Sequence, residues 1–460
     1  MNRLSPTNHP ANVALPAYDR ATKRIGIVHF GLGAFTRAHQ AWYTDSAMAV
    51  AGGDWMTVGV SLRAPDVAAQ LNPQCGLYTL AVRSGGGTDH QIIGSVAEVI
   101  VAPEHPDRVV ALLAAPDTAL VTLTITEKGY CRAGDGSLDL DLAHSGSVYR
   151  YLAEGLAGRR AAGLAGLTLL SCDNLADNGR QFRALLAAYL AVHDAELGDW
   201  VALHCTFPCS MVDRIVPATT EADRAEVADV LGLRDEALVV TEPFSQWVIE
   251  DSFAGPRPAW DRVGAEIVVE VEPYETAKLR MLNGAHSALA YCGLLAGYAF
   301  VHEAVADAGL RGMISDLMRG EAAPTIAAAP GQDLDAYADA LLERFANPKL
   351  NHKLIQIAMD GSQKIPQRWL ATLAANQRAG RRCPAILTAI SAWLRHIRGD
   401  NAARWGDVND PRADELKRAW DVHGADGIVR ALFGKAGLID SEWSPDAEDV
   451  DLMTRQLHDS

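Results

Sequence analysis

The segment "KLRMLNGAHSALAYCG", Lys278 to Gly293, sets a lysine, an asparagine and a histidine into an otherwise apolar, small-residue run. At about 100° per residue, Lys278, Asn283 and His286 fall at about 0°, 140° and 80° on a helical wheel, a broad face shared with Leu282. That face can bring an amine, an amide and an imidazole into one pocket. Gly284, Ala285 and Ser287 are small, so another group can approach the helix closely. The set suits hydride transfer. Oxidising a secondary alcohol needs a base for the hydroxyl proton while hydride leaves for nicotinamide. A lysine serves if partial burial depresses its pKa towards neutrality. Asparagine amides are uncharged donors for the developing oxygen, and a histidine can orient the substrate hydroxyl. The competing reading is structural: a capped, solvated first helical turn, with Lys278 in water and His286 hydrogen-bonded in the core.

A hydride acceptor must be held as well, and the first half of the chain has the elements for it. "RIGIVHFGLGAFTRAHQAWYTD" reads as a short buried strand (Ile25, Ile27, Val28, Phe30), a tight Gly31-Leu-Gly33 turn, and a helix containing Ala38, Ala41 and Trp42. In a dinucleotide site the first glycine permits the turn. The second lets the backbone approach the phosphates, at a helix start with free N–H groups. Thr36 stands where the third glycine of G-x-G-x-x-G would be, so the motif alone is weak. "DWMTVGVSL" (54–62) reads as a second parallel strand ending near Arg63 and Asp66. Asp66 could accept from a ribose 2′-hydroxyl, or simply cap a helix starting at Pro65; Arg63 would instead favour a 2′-phosphate. Gly31, Gly33, Phe35, Arg63 and Asp66 are the candidate cofactor-binding residues. NAD is the expected cofactor, with NADP open.

Further strands end in polar tips. "ALVTLTITEKGYC" (119–131) leads into Thr126, Glu127 and Lys128, and "LTLLSCDNLADNG" (167–179) into Asp173 and Asn174. "LHCTFPCSMVDRIVP" (203–217) is another polar-tipped segment, and "SGGG" (84–87) reads as a hairpin or loop tip. Polar residues just past the carboxyl ends of strands sit where open α/β sheets bind ligands. From about residue 271 the pattern turns helical, with apolar periodicity at 275–308, 311–319, 333–346 and 383–398. The expected fold is α/β. A Rossmann-type dinucleotide-binding domain spans 1–270, and a mainly α-helical substrate and catalytic domain spans 271–460.

Bulk properties limit the alternatives. A 460-residue chain with 49% apolar and 21% charged residues can bury large cores. The net charge of −16 disfavours nucleic acid and other polyanions over the surface as a whole. No apolar run is long enough to span a bilayer, and the first residues lack a signal-peptide pattern. Seven scattered cysteines, without paired zinc spacing, suggest reduced thiols, a cytoplasmic home and no metal.

Taken together, "HFGLGAFTRAHQAWYTD", "TITEKGYC", "SCDNLADNG", "FPCSMVDRIVP", "EPFSQWVIED", "KLRMLNGAHSALAYCG" and "QIAMDGSQKIPQRW" resemble the long-chain mannitol dehydrogenase family. That family covers polyol dehydrogenases and fructuronate (D-mannonate) oxidoreductases. The resemblance runs over roughly residues 24–440. It implies Lys278 as general base, Asn174 and Asn283 as the oxyanion site, and His286 as binder of the substrate hydroxyl. Glu127 would be a proton-relay group, and Asp213 and Lys364 would face substrate. It further implies NAD(P)-dependent oxidation at a CH–OH group, a small sugar acid or polyol as partner, and frequently a monomer. "TEKGYC", "KLRMLNG" and "QIAMDGSQKIPQRW" look closer to the fructuronate reductases, where Lys128 or Arg280 could pair a substrate carboxylate. Arg280 falls at about 200° on the wheel, away from Lys278, unless the helix starts just after Lys278. A D-mannonate/D-fructuronate pair is the leading expectation, with a neutral polyol such as mannitol or arabinitol as the alternative. A phosphorylated substrate and a non-catalytic nucleotide-binding module are the remaining readings.

Overall fold

The computed structural model describes residues 2–11, 13–144 and 146–458. The chain divides into two compact units, Met1–Glu272 and Pro273–Ser460.

The strands of the first unit are β1 (Ile25–Phe30), β2 (Met56–Ser61), β3 (Tyr78–Ser84), β4 (Gly87–Ile93), β5 (Val96–Val101), β6 (Leu120–Leu123), β7 (Thr168–Ser171), β8 (Ser210–Asp213), β9 (Val239–Thr241), β10 (Gln246–Glu250) and β11 (Glu266–Val268). Five form a parallel sheet in the order β5-β2-β1-β6-β7. The order reverses at β1, so its carboxyl end and that of β6 flank the switch point where such sheets bind ligands. Period-two alternation sorts the side chains of β1. Val28 and Phe30 join Val58, Val121, Leu169, Leu152 and Phe182 in one core, while Ile27 joins Leu120, Leu170, Tyr43, Trp247 and Trp260 in another.

The hairpin β3–β4 turns at 84–87, as the "SGGG" tip suggested, and pairs with β9 in a separate sheet. The polar-tipped segment at 203–217 contributes β8 to a third sheet, β11-β10-β8, rather than to the parallel one. Asn178 ties it back, since its Nδ2 donates to the Ser210 carbonyl at 2.7 Å and its Oδ1 accepts from the Ser210 N–H.

The single helix expected after the glycine turn is two: Ala34–Ala38 and Gln40–Ala51, broken at His39 (φ −122°, ψ −91°). Tertiary donors take the carbonyls that the break releases. The Tyr78 hydroxyl donates to Arg37 O at 2.6 Å and the Arg214 guanidinium to Ala38 O at 2.5 Å. Such side chains are invisible to local periodicity.

The second unit is helical. Every residue of Gly284–Leu294 in the helix Gly284–Ala296 is buried, the mark of a helix surrounded by others. It packs against Pro384–Arg398, whose large apolar side chains fill the same core. Three turns among the described residues are π-helical: Lys278–Asn283, Leu317–Ala322 and Pro366–Leu370. The first packs against both others. Glu321, in the second, lies inside the core. Its carboxylate accepts the N–H groups of Ala385 (2.7 Å) and Ile386 (2.8 Å), capping the helix that starts at Pro384.

Burial pushes the Glu321 carboxyl up to about 7. The folded state therefore holds a proton that the unfolded chain has lost between about pH 4.5 and 7, and stability falls as pH rises through that window. Relative to Glu321→Gln, the wild-type unfolding free energy should drop by on the order of 2–3 kcal/mol between pH 5 and 8. Urea unfolding of both proteins at the two pH values checks this; parallel behaviour would refute it.

Candidate active site

The glycine turn begins where β1 ends. Gly31 has φ +89°, and a Cβ there would collide with the Thr124 carbonyl at the end of β6. Only glycine fits this position. Gly33 differs: its backbone is extended (φ −86°), and the atom that a Cβ at this position would meet first, the Gly31 oxygen, lies 3.8 Å away. Neither strain nor packing demands glycine at 33, so the open space above its backbone is suited to a ligand that must come close. Phe35, half-buried, stacks on His39 with ring centroids 5.1 Å apart. Arg63 and Asp66 are exposed past the end of β2. Asp66 is the first residue of the helix Asp66–Leu71, behind Pro65 at the N-cap, and so is not its cap.

At the next strand end, Thr126 adopts φ +62°, costly for a β-branched residue. A buried carboxylate holds it there. Asp173 accepts from the N–H groups of Ile125 (3.0 Å) and Thr126 (2.9 Å) and from the Tyr130 hydroxyl (2.9 Å). Burial raises its pKa, and these donors oppose the rise. The turn presents Glu127 and Lys128 to solvent, and Asn174, next to Asp173, is exposed. Asp213 is buried at the end of β8. The sequence marks Asp173 only as one of the polar residues past a strand end and does not reveal this clamp with Tyr130; a carboxylate's backbone partners cannot be read from its neighbours in sequence.

The helical stretch that leads into the second unit begins at Glu272, not after Lys278. The reading of a solvated first turn is therefore incorrect, as is the condition that would have rotated Arg280 towards Lys278. Lys278 is half-buried and opens the π-helical turn that closes at Asn283, also half-buried. A π-turn spans i→i+5, seen in the Gly284 N–H bonded to Leu279 O. This wider turn narrows the angle of about 140° that an α-helix would open between residues 278 and 283. Side chains from the π-turn Pro366–Leu370 satisfy carbonyls at its exit. Arg368 donates to Asn283 O (3.3 Å) and Ser287 Oγ (2.7 Å), and the Trp369 indole N–H donates to Gly284 O (3.1 Å).

His286 is buried against Phe345 and His352, at centroid distances of 4.6 and 5.3 Å. Burial first, then the positive fields of His352, Arg344 and Arg368, hold its pKa well below the usual range, so the ring is neutral. Its Nε2 has no hydrogen-bond partner among the described residues, which removes the expectation of a fully satisfied core histidine. Arg280 Nη1 donates to Thr325 O (2.8 Å) and Oγ1 (2.7 Å). Lys364 Nζ donates to Met359 O (2.6 Å) and Ile357 O (3.4 Å), and burial lowers its pKa. Among the described residues no group of three or more His, Cys, Asp or Glu side chains is placed to hold a metal ion, and no helix is long and apolar enough to cross a membrane.

Asp173→Ala should destabilise the first unit by about 2 kcal/mol, since it strands the Ile125 and Thr126 N–H groups while the Tyr130 hydroxyl keeps Ser171 Oγ at 2.6 Å. Thr126→Gly should stabilise it by up to about 1 kcal/mol by releasing the left-handed strain. Urea titrations read both signs; a neutral Asp173→Ala would show that the clamp contributes nothing.

Comparison with known proteins gives a consistent picture. Residues 25–262 match the mannitol dehydrogenase Rossmann domain and residues 270–457 the mannitol dehydrogenase C-terminal domain. The chain is 40% identical to the D-mannonate oxidoreductase of Escherichia coli (strain K12), over 99% of this chain and 96% of that protein. Among solved structures it is similar to Pseudomonas fluorescens mannitol 2-dehydrogenase in ternary complex with NAD and D-mannitol, at 36% identity and a TM-score of 0.78, covering 99% of this chain and 96% of that one. It is also similar to a substrate-free D-sorbitol dehydrogenase, at 30% identity and a TM-score of 0.90, covering 99% and 97%.

Proposed function

The chain belongs to the mannitol dehydrogenase family, and from that premise we propose that it is an NAD-dependent oxidoreductase interconverting D-mannonate and D-fructuronate. The observation that carries the reading is the half-buried Lys278 on a π-helical turn shared with Asn283, one helical turn before a neutral, buried His286 with an unpartnered nitrogen.

The residues present fit the cofactor. Gly31 makes the turn and Gly33 leaves its backbone uncovered, so the segment Gly31–Phe35 would hold the pyrophosphate side. Asp66, with a carboxylate that repels a 2′-phosphate, favours NAD over NADP, while Arg63 is the residue that would admit NADP. When bound, the nicotinamide takes up or returns the hydride of the carbinol carbon. The chain's own groups manage the proton and the charge. Lys278 Nζ takes the hydroxyl proton as the carbonyl forms and gives it back in reduction. The amides of Asn174 and Asn283 donate to the oxygen as it gains charge. The neutral His286 orients the hydroxyl, and Glu127, exposed on its turn, relays the proton to water. Asp213 and Lys364 face the rest of the substrate.

Support for a sugar acid comes from the 40% identity to a protein named for D-mannonate and from the exposed cation Lys128. A second reading, oxidation of a neutral polyol such as mannitol, draws on the commitment of Arg280 to Thr325, which leaves that guanidinium fewer donors for a carboxylate.

Lys278→Ala should lower turnover about a thousandfold while NADH still binds in a fluorescence titration. Near-normal turnover would remove the base assignment. Steady-state rates with fructuronate, mannonate, mannitol, fructose and arabinitol, each with NAD(H) and NADP(H), should give the highest kcat/KM for the sugar-acid pair with NAD(H). A tenfold preference for mannitol or fructose would select the second reading.

A further inference from the structure

Beneath the glycine turn lies a buried polar cluster with no part in the chemistry above. His29, in β1, is 1% exposed, and its neighbours are threonine hydroxyls. Its Nδ1 lies 2.7 Å from Thr122 Oγ1, and its Nε2 lies 3.0 Å from both Thr124 Oγ1 and Thr36 Oγ1. Thr36 and Thr124 are themselves 2.6 Å apart, and Thr124 Oγ1 donates to the Gly31 carbonyl at 2.7 Å.

Donor arithmetic orders this cluster. A hydroxyl has one proton and a neutral imidazole has one N–H. Thr124 spends its proton on Gly31 O, so Thr36 must donate to Thr124. Thr36 then has no proton left for His29, so Nε2 carries the N–H and donates to the two threonines. Nδ1 is the acceptor, and Thr122 donates to it. The result is a one-directional chain, Thr122 to His29 to Thr36 to Thr124 to Gly31, with every step defined. It needs a neutral ring, and burial pushes the His29 pKa down to about 3.

We propose that this chain is the positioning device of the nucleotide turn, and that Thr36 does by hydrogen bonding what a third glycine does elsewhere by close packing. Thr36 sits on the helix that follows the turn, His29 on β1 and Thr124 at the end of β6. One hydroxyl therefore joins the three elements that meet at the switch point, and the last link fixes the Gly31 peptide. The inference rests on the reading of the turn as a dinucleotide site.

Thr36→Val keeps the shape and deletes the hydroxyl, Thr36→Gly restores the G-x-G-x-x-G pattern, and Thr36→Ser keeps the hydroxyl. NADH affinity is read by fluorescence titration, and amide hydrogen exchange of residues 31–36 is read in the cofactor-free protein. Thr36→Val and Thr36→Gly should each weaken NADH binding about tenfold and speed exchange of the turn amides, with KM for NADH moving more than kcat. Thr36→Ser should restore affinity to within about threefold. Should Thr36→Val fail to fold, Thr124→Val and Thr124→Ser pose the same question at the next link. NADH binding within twofold of wild type in the folded glycine and valine variants would overturn the proposal. A wild-type protein that binds no NADH would instead overturn the dinucleotide reading on which it stands.

Discussion

The architecture of the first unit hinges on one close approach: the carbonyl of Thr124 occupies the space where Gly31 would carry a side chain. Two parallel strands can come together this tightly at their carboxyl ends only because one of them finishes in a residue with no Cβ. From that contact follow the left-handed turn, the direction in which the chain leaves the sheet, and the placing of Gly33. The tips of β6 and β7 are organised around the same edge. Asp173 reaches back to fix the peptides just after Thr124, so the residues from 124 to 126 are held at both ends. The exposed groups that follow thus spring from backbone that has little freedom to move.

The second unit solves its positioning problem differently. It uses a helix interrupted by a π-turn that carries Lys278 and Asn283 at its two ends, and braces the interruption with Arg368 and Trp369 from another π-turn. Burial then sets the electrostatics. The imidazole of His286 stays neutral because it has been removed from water among positively charged neighbours. Arg368 serves both as a brace and as a contributor to that field.

Much of this was legible in the sequence. Apolar runs such as Ile25–Phe30 and Leu120–Leu123 announce buried parallel strands, and the three glycines at 85–87 announce a hairpin. Long amphipathic periodicity announced the helices of the second unit. The features that were missed have a common origin. The break at His39 is stabilised by Tyr78 and Arg214, which lie far away in sequence. The short strands β8, β10 and β11 are too brief for alternation to register. The π-turns violate the fixed angle of 100° on which a helical wheel depends, so the phase between Lys278 and Asn283 came out too wide. Arg280 looked available because nothing local reveals Thr325 as its partner. Where structure is dictated by neighbours along the chain, sequence sufficed; where it is dictated by a remote donor, it did not.

The π-turn at Lys278–Asn283 has an evolutionary corollary. An i→i+5 turn is an α-helix that has absorbed one extra residue. The six residues ahead of it, Glu272–Ala277, and the thirteen behind it, Gly284–Ala296, therefore run on separate angular registers. Gain or loss of a single codon at this point would re-aim Lys278 relative to the buried helix that follows, so the length of this segment is itself under constraint.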